Sequence, residues 1–404
     1  MTDDPLFTAL RLGNHALPGI WRYLLPRDAQ WLLLPAERLA SCERCYWVRL
    51  GKCREDCRCC TYFPQLPNYL VGLALKDPAS RDAMRGVVET GHALPEGLLA
   101  APRHFRLAVQ SHAEDRFGED PELVCPFLRQ DDYLCGIHAY RNSICATFFC
   151  EHDHSDAGAA LWQALQALTG HAETALAQWA MDQAGVSSAD YLAQMNNLAD
   201  DIDALSDGDG LSAQSGWSPL ARDTLWGRWL GQECAFFEAC ADAVMARRDD
   251  LYEIACEQPL RQADAYEDAL LAWLPEAIRG AATPTTHGEP VPLPELWYQL
   301  QLKVRQLWAL PFGEGEVQLA GGLAVHVNPK DDRFSRAHDE PHIVRDGNGN
   351  ALLFCDEAQA AALLLFREPQ VLGEALLARE EIEALDDARG MLAECMRRGI
   401  LVEC

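Results

Sequence analysis

The chain is short of positive charge. Its 404 residues include 34 Lys and Arg against 61 Asp and Glu, a formal net charge of −27 at pH 7. A surface this acidic repels phosphate backbones and anionic lipid, so neither nucleic acid nor a membrane surface is an expected partner. Long apolar runs are also missing. The segments WLLLP and ALLLF are core-sized and fall far short of the ~20 residues that a membrane span requires. The opening MTDDPLF has no basic region and no apolar stretch of the kind a secretion leader needs, and a cytoplasmic location is expected. Nor is there an HExxH pair, a GxSxG elbow, a phosphate loop or a GxGxxG following a strand, so the commonest catalytic signatures are not represented.

Cysteine, by contrast, is plentiful. Of 16 cysteines, ten fall within residues 1–150. A reducing compartment disfavours a disulfide framework, which leaves metal ligation, redox thiols or burial to account for them. The remaining six (Cys234, Cys240, Cys256, Cys355, Cys395 and Cys404) are scattered among apolar neighbours and read as small buried hydrophobes.

The ten form two groups. In CERCYWVRLGKCREDCRCC, Cys42 and Cys45 make a CxxC, a spacing that lets two thiolates grip one ion from a tight turn. Cys53 and Cys57 follow, then the adjacent pair Cys59 and Cys60. Neighbouring side chains point apart in regular backbone, so both reach one centre only where the chain is irregular, as Pro64 and Pro67 would keep it. The second group, CPFLRQDDYLCGIHAYRNSICATFFC, contributes Cys125, Cys135, Cys145 and Cys150. Two dense groups in one region point to a metal centre, because ligation turns labile thiols into thiolates and adds folding energy. Buried or redox thiols are the alternative.

These residues carry a resemblance. A compact cluster ending in Cys59-Cys60, then CPFL, a cysteine ahead of Ile and an aromatic, and Arg141 preceding Cys145 look like the CxxCxxCC (YkgJ-type) family of zinc- or iron-chelating proteins, over about residues 42–150. The segment CCTYFPQLPNYLVG is similar to a bacterial subgroup of it. The resemblance implies Cys59, Cys60, Cys125, Cys135 and Cys145 as ligands, with Cys42 and Cys45 completing the first half and Cys150 extending the second. This sequence departs from the family in lacking the strict C-x-x-C-x-x-C-C spacing, in placing Asn142 where proline is common, and in having His138 at an aromatic position. Cys53 and Cys57 are left open as ligands of a second site or bystanders. All-thiolate surroundings suit zinc and iron–sulfur clusters alike. Eight thiolates exceed the needs of one tetrahedral zinc, and the related flagellin lysine methylases imply an iron–sulfur centre by analogy. An iron–sulfur cluster is therefore the expected cofactor, with zinc as the alternative.

The fold expected is mainly α, in three parts. Residues 1–154 form an irregular cysteine-cluster domain, with short helices from Asp77-Pro78 towards Thr90 and from Pro102 towards Phe117. Residues 155–280 form a helical bundle, its apolar positions recurring at three- or four-residue spacing in Leu161, Leu165, Leu168, Leu176 and Trp179. Helices are expected at 155–184, 188–204, 218–248, 250–257, 260–279 and 294–309. The aromatics Trp226, Trp229, Phe236 and Phe237 read as core rather than as a cofactor box. Residues 281–404 comprise a linker helix and a small α+β, winged-helix-like domain: paired strands around a GNGN turn, a helix after Asp356, a last helix at about 381–398, and ILVEC as a closing strand.

Lesser candidates remain. Glu151-His152-Asp153-His154 follows Cys150 and reads either as a polar helix entry or as further ligands or a proton relay. His338 and His342 are separated by Pro341, which rules out one regular helix. Arg141 could lower a thiolate pKa, bind an anionic substrate or form a surface ion pair. Two classes of function stay open: a redox or catalytic centre that modifies a peptide or protein substrate, and a closed structural zinc site in an adaptor.

Overall fold

A computed structural model describes residues 4–403 apart from 13–14, 28, 30–31, 33, 36, 38–41, 153, 209–215, 283–289, 308–315, 320, 322, 328–340, 346–350, 356, 368–369, 372–394 and 397–399. The chain is mainly helical with small antiparallel sheets, and no helix among the described residues is long and apolar enough to cross a membrane. It divides into two compact units. The first comprises residues 1–29 and 36–300, the second 30–35 and 301–404.

The first unit is organised by three helices. Ser155–Gln183 is the longest, and Leu161, Trp162, Leu165, Leu168, Ala172, Leu176 and Ala180 line its buried side. Asn68–Lys76 is buried from residue 68 to 75, as a helix apolar on every face must be. It packs against Glu233–Ala246, and both touch the long helix. Gly72 makes the first contact possible: a Cβ there would stand 1.9 Å from the Phe237 carbonyl oxygen. Trp226, Phe236 and Phe237 meet edge-on nearby, with Trp226 and Phe236 centroids 5.4 Å apart, and fill the core as expected.

Several helix boundaries differ from the sequence reading. Asp77 does not open its helix. Its carboxylate accepts from Ala79 N and from the Tyr140 hydroxyl, making a turn, and the helix begins at Arg81. Pro102–Ala113 ends before the expected Phe117, where Asp115 turns to φ +55°. The segment 218–248 is two helices, Pro219–Trp226 and Glu233–Ala246, separated by Gly227 and Gly231 at positive φ. Residues 260–279 likewise split, into Asp264–Trp273 and Glu276–Arg279, around Pro275. Pro275 lacks the N–H that would continue the ladder.

In the second unit, Ala324–Val327, His342–Arg345 and Ala351–Cys355 form an antiparallel sheet against which the helix Glu357–Leu364 packs. A second sheet pairs Glu316–Leu319 with Gln370–Val371 and Leu401–Glu403. Ile343, Val344, Cys355, Leu363, Phe366 and Cys395 are buried. The GNGN turn, His338 and most of the expected helix at 381–398 lie outside the described residues.

Candidate metal centre

All ten N-terminal cysteines belong to the first unit, and none of the fifteen described cysteines is in a disulfide. The first group is wound in short turns. Cys42–Arg44 is one 3-10 turn, Tyr46–Arg49 one helical turn, and Arg58 sits in the left-handed region at φ +57°. That irregular backbone changes the geometry expected of neighbouring residues: Cys59 is near enough to both Cys60 and Cys150 to shift its titration. Cys53 is accommodated by Gly118, where a Cβ would lie 2.3 Å from its sulfur. Gly118 is at φ +75°, a conformation glycine adopts without strain.

The second group is delivered by a loop and a short helix. Leu128 bridges to Cys135, with Gly136 N donating to the Phe127 carbonyl, so the loop 127–136 folds back on itself. Asn142 caps the helix Ser143–Thr147 by accepting from Cys145 N at 3.0 Å, and its amide donates to the Gln65 carbonyl. At the position where the resembled family commonly has proline, this chain thus uses a side chain that fixes Cys145 and ties it to the segment following the first group. The two groups meet directly, since Cys125 N donates to the Cys60 carbonyl at 2.7 Å and Trp47 Nε1 to the Cys150 carbonyl at 3.2 Å.

The long helix serves as the platform. Glu173, fully buried, accepts from Ser143 N at 2.9 Å and from Trp21 Nε1 at 3.2 Å. Nearer the helix start, Trp162 Nε1 donates to buried Glu37 at 2.8 Å, and the same carboxylate oxygen lies 3.2 Å from His152 Nδ1. His152, in the segment read as a polar helix entry or further ligands, is thus oriented by a carboxylate. Asp153 lies outside the described residues.

Burial dominates the electrostatics. It raises the pKa values of Cys42, Cys125 and Cys135 and pushes Cys145 up to about 12. Cys150 is raised by its hydrogen bond to Cys59 and then by burial. For Cys59 the bond from Cys150 lowers the value, but the bond to Cys60, burial and nearby thiols outweigh it. Cys57, pushed up to about 11 by burial and Asp56, points to Asp56 Oδ1 at 3.6 Å. Cys42 is near enough to feel Cys45, Cys135 and Cys150, and Cys125, Cys135 and Cys145 feel one another. Sequence segments that are far apart therefore converge. Even so, no three His, Cys, Asp or Glu side chains among the described residues already stand in an ion-holding arrangement.

Two cations share this space. Arg58, 5% exposed, lies over the Tyr133 ring at 4.0 Å, and its Nε has no hydrogen-bond partner. Arg141 donates to the carbonyls of His138, Cys145 and Ala16 and interacts with Cys135, Cys145, Cys42 and Cys60. Neither guanidinium pairs with a carboxylate among the described residues. Sequence reasoning flagged Arg141 but missed Arg58, whose neighbours Cys57 and Cys59 were the signal available. Comparison with protein-family models, curated proteins and solved structures finds no match for this chain.

Proposed function

We propose that residues 42–150 hold an iron–sulfur centre on thiolates drawn from Cys42, Cys45, Cys59, Cys60, Cys125, Cys135, Cys145 and Cys150. The observation that carries this reading is a charge imbalance. Buried Arg58 sits among the thiols without a carboxylate, half-buried Arg141 beside them donates to carbonyls alone, and a buried cation left uncompensated costs several kcal/mol. Protonated thiols cannot balance it, whereas a metal–thiolate centre is a net anion. Donor chemistry fits the group: thiols are free, gathered from both segments, and more numerous than one tetrahedral zinc takes. The thiols would close around the centre as it binds and release their protons.

When bound, such a centre supplies one-electron chemistry. The chain's own residues would do the rest: Arg58 and Arg141 offset its charge, Asn142 sets Cys145, and Glu173 and Glu37 fix the segments bearing Cys145 and Cys150 to a helical bundle. The second unit is read as a winged-helix-like module that presents a peptide or protein substrate, and the whole as a cytoplasmic relative of the CxxCxxCC cysteine-cluster proteins.

Purification without air tests the reading. A brown protein with iron and acid-labile sulfide is expected. A colourless protein with stoichiometric zinc would replace it with a structural adaptor, and one with neither metal would remove the centre altogether.

A further inference from the structure

The thiol-rich surface differs from the rest of the molecule in charge and in exposed apolar area. In a chain of net charge −27, residues 42–60 expose four basic side chains, Arg44, Arg49, Lys52 and Arg54, against three acidic ones, Glu43, Glu55 and Asp56, with Arg54 and Asp56 paired. Arg44, Arg49 and Lys52 are exposed, and none forms an ion pair among the described residues. Beside them Tyr46 is 40% and Leu50 50% exposed, and Lys52 lies over the Trp47 ring at 4.3 Å. The apolar rim continues across the chain. Trp47 is bonded to the Cys150 carbonyl, Phe148 is 49% exposed, and its ring meets that of Phe117, itself 46% exposed, at 6.1 Å. The loop carrying Phe117 returns to the first group where Arg54 N donates to the Gly118 carbonyl. Cations, aromatics and the half-buried thiols of Cys42, Cys59 and Cys150 are thus carried on segments that these contacts join into one face.

Isolated exposed hydrophobic residues need no explanation. A contiguous group of Tyr, Trp, Phe and Arg next to unpaired cations does, because these are the residues that anchor protein interfaces. We infer that this face docks an acidic polypeptide segment bearing aromatic or aliphatic side chains. Charge selects the occupant. A net charge of −27 disfavours an anionic partner over the molecule as a whole, so local attraction at this face orients the encounter. A bilayer or a nucleic-acid duplex is extended and would also meet the acidic surroundings, whereas a short segment need not. The inference deepens the reading above, since it names what approaches the thiols, but it depends on surface residues and not on which metal they hold.

The test is selection from a library of displayed short random peptides on the full-length protein, with metal content measured on the same sample. Enrichment of sequences combining Asp or Glu with Phe, Tyr, Trp or Leu is expected. A labelled peptide of the enriched sequence should bind roughly tenfold or more weakly to the triple variant Arg44→Glu, Arg49→Glu and Lys52→Glu. Tyr46→Ala with Leu50→Ala should weaken it separately. All five positions are exposed, and circular dichroism matching the parent verifies that each variant folds. No enrichment, enrichment of basic or purely neutral sequences, or equal binding by the charge-reversed variant overturns the inference. So does binding to phosphatidylserine vesicles through these residues in place of any peptide. Peptide binding by a metal-free protein would instead sustain this inference and remove the iron–sulfur centre.

Discussion

Two regions of the first unit fold on different terms. The helices Asn68–Lys76, Ser155–Gln183 and Glu233–Ala246 bury long apolar stripes and pack closely on one another, as Gly72 against Phe237 illustrates. Residues 42–60 and 117–150 contain helical turns of three to five residues, linked by loops and held by polar contacts: Cys125 to Cys60, Asn142 to Cys145 and Gln65, Glu173 to Ser143. Beside Phe127, Leu128 and Ile137, this region buries Cys45, Cys53, Cys57 and the Arg58 guanidinium. The helical part can rest on hydrophobic burial alone, while the thiol-rich part leaves charge and ligand capacity unsatisfied. The contrast teaches that the second region's stability should depend on what binds there.

The largest expected effect tests that dependence. Cys59→Ser with Cys60→Ser should strip the metal, removing a contribution on the order of 10 kcal/mol from the thiol-rich part. Limited proteolysis should then cut within 42–60 and 125–150 while the helical far-ultraviolet signal persists. Metal content equal to the parent would take both residues off the ligand set.

The reciprocal change strikes the other region. Gly72→Ala pushes a methyl into the Phe237 carbonyl and should cost on the order of 3 kcal/mol by denaturant unfolding. Metal stoichiometry in the remaining folded protein should be unaltered; parallel loss of both would show the regions to be one cooperative element.

Glu173, which joins the two regions, gives a pH signature. Burial pushes its pKa up to about 7 from an ordinary 4.5. The folded state therefore holds a proton that the unfolded state releases in this interval. Stability from this group is complete below the unfolded value and is lost as pH rises through the folded one, an effect of about 3 kcal/mol across the window. Glu173→Gln keeps an accepting oxygen and should flatten the dependence between pH 5 and 7. A slope unchanged in the variant would assign it to other groups.

The smallest effect concerns one cap. Asn142→Ala removes the acceptor for Cys145 N and should cost about 1 kcal/mol, with Asn142→Asp restoring the cap. If metal affinity falls by no more than general stability does, Asn142 serves the helix and not the ligand.

Much of the helical part was legible because its signal is local. Leucines at helical spacing mark Ser155–Gln183 and Gly185 lies where it stops, whereas Gly227 and Gly231 break the segment 218–248 that reads as one helix. Errors arose where a nonlocal bond competed. Asp77 was a plausible cap, but its carboxylate is engaged by Tyr140, 63 positions away. In the candidate centre, the density of cysteine was evident from the chain alone. The contribution of Arg58 was not, since an arginine between cysteines gives no sign of whether it faces solvent or thiols. Glu37 gave no local signal at all, because its role depends on Trp162 and His152, 125 and 115 residues distant.

By itself the sequence determined that this chain is acidic, largely helical and concentrated in sulfur at two places, since charge, helical period and residue type are written in the order of residues. Tertiary structure alone decided that the two sulfur-rich segments meet, that two guanidinium groups lie between them, and that one long helix holds the assembly. Those outcomes depend on which buried groups find partners across tens of residues, and only the folded chain brings the partners into range.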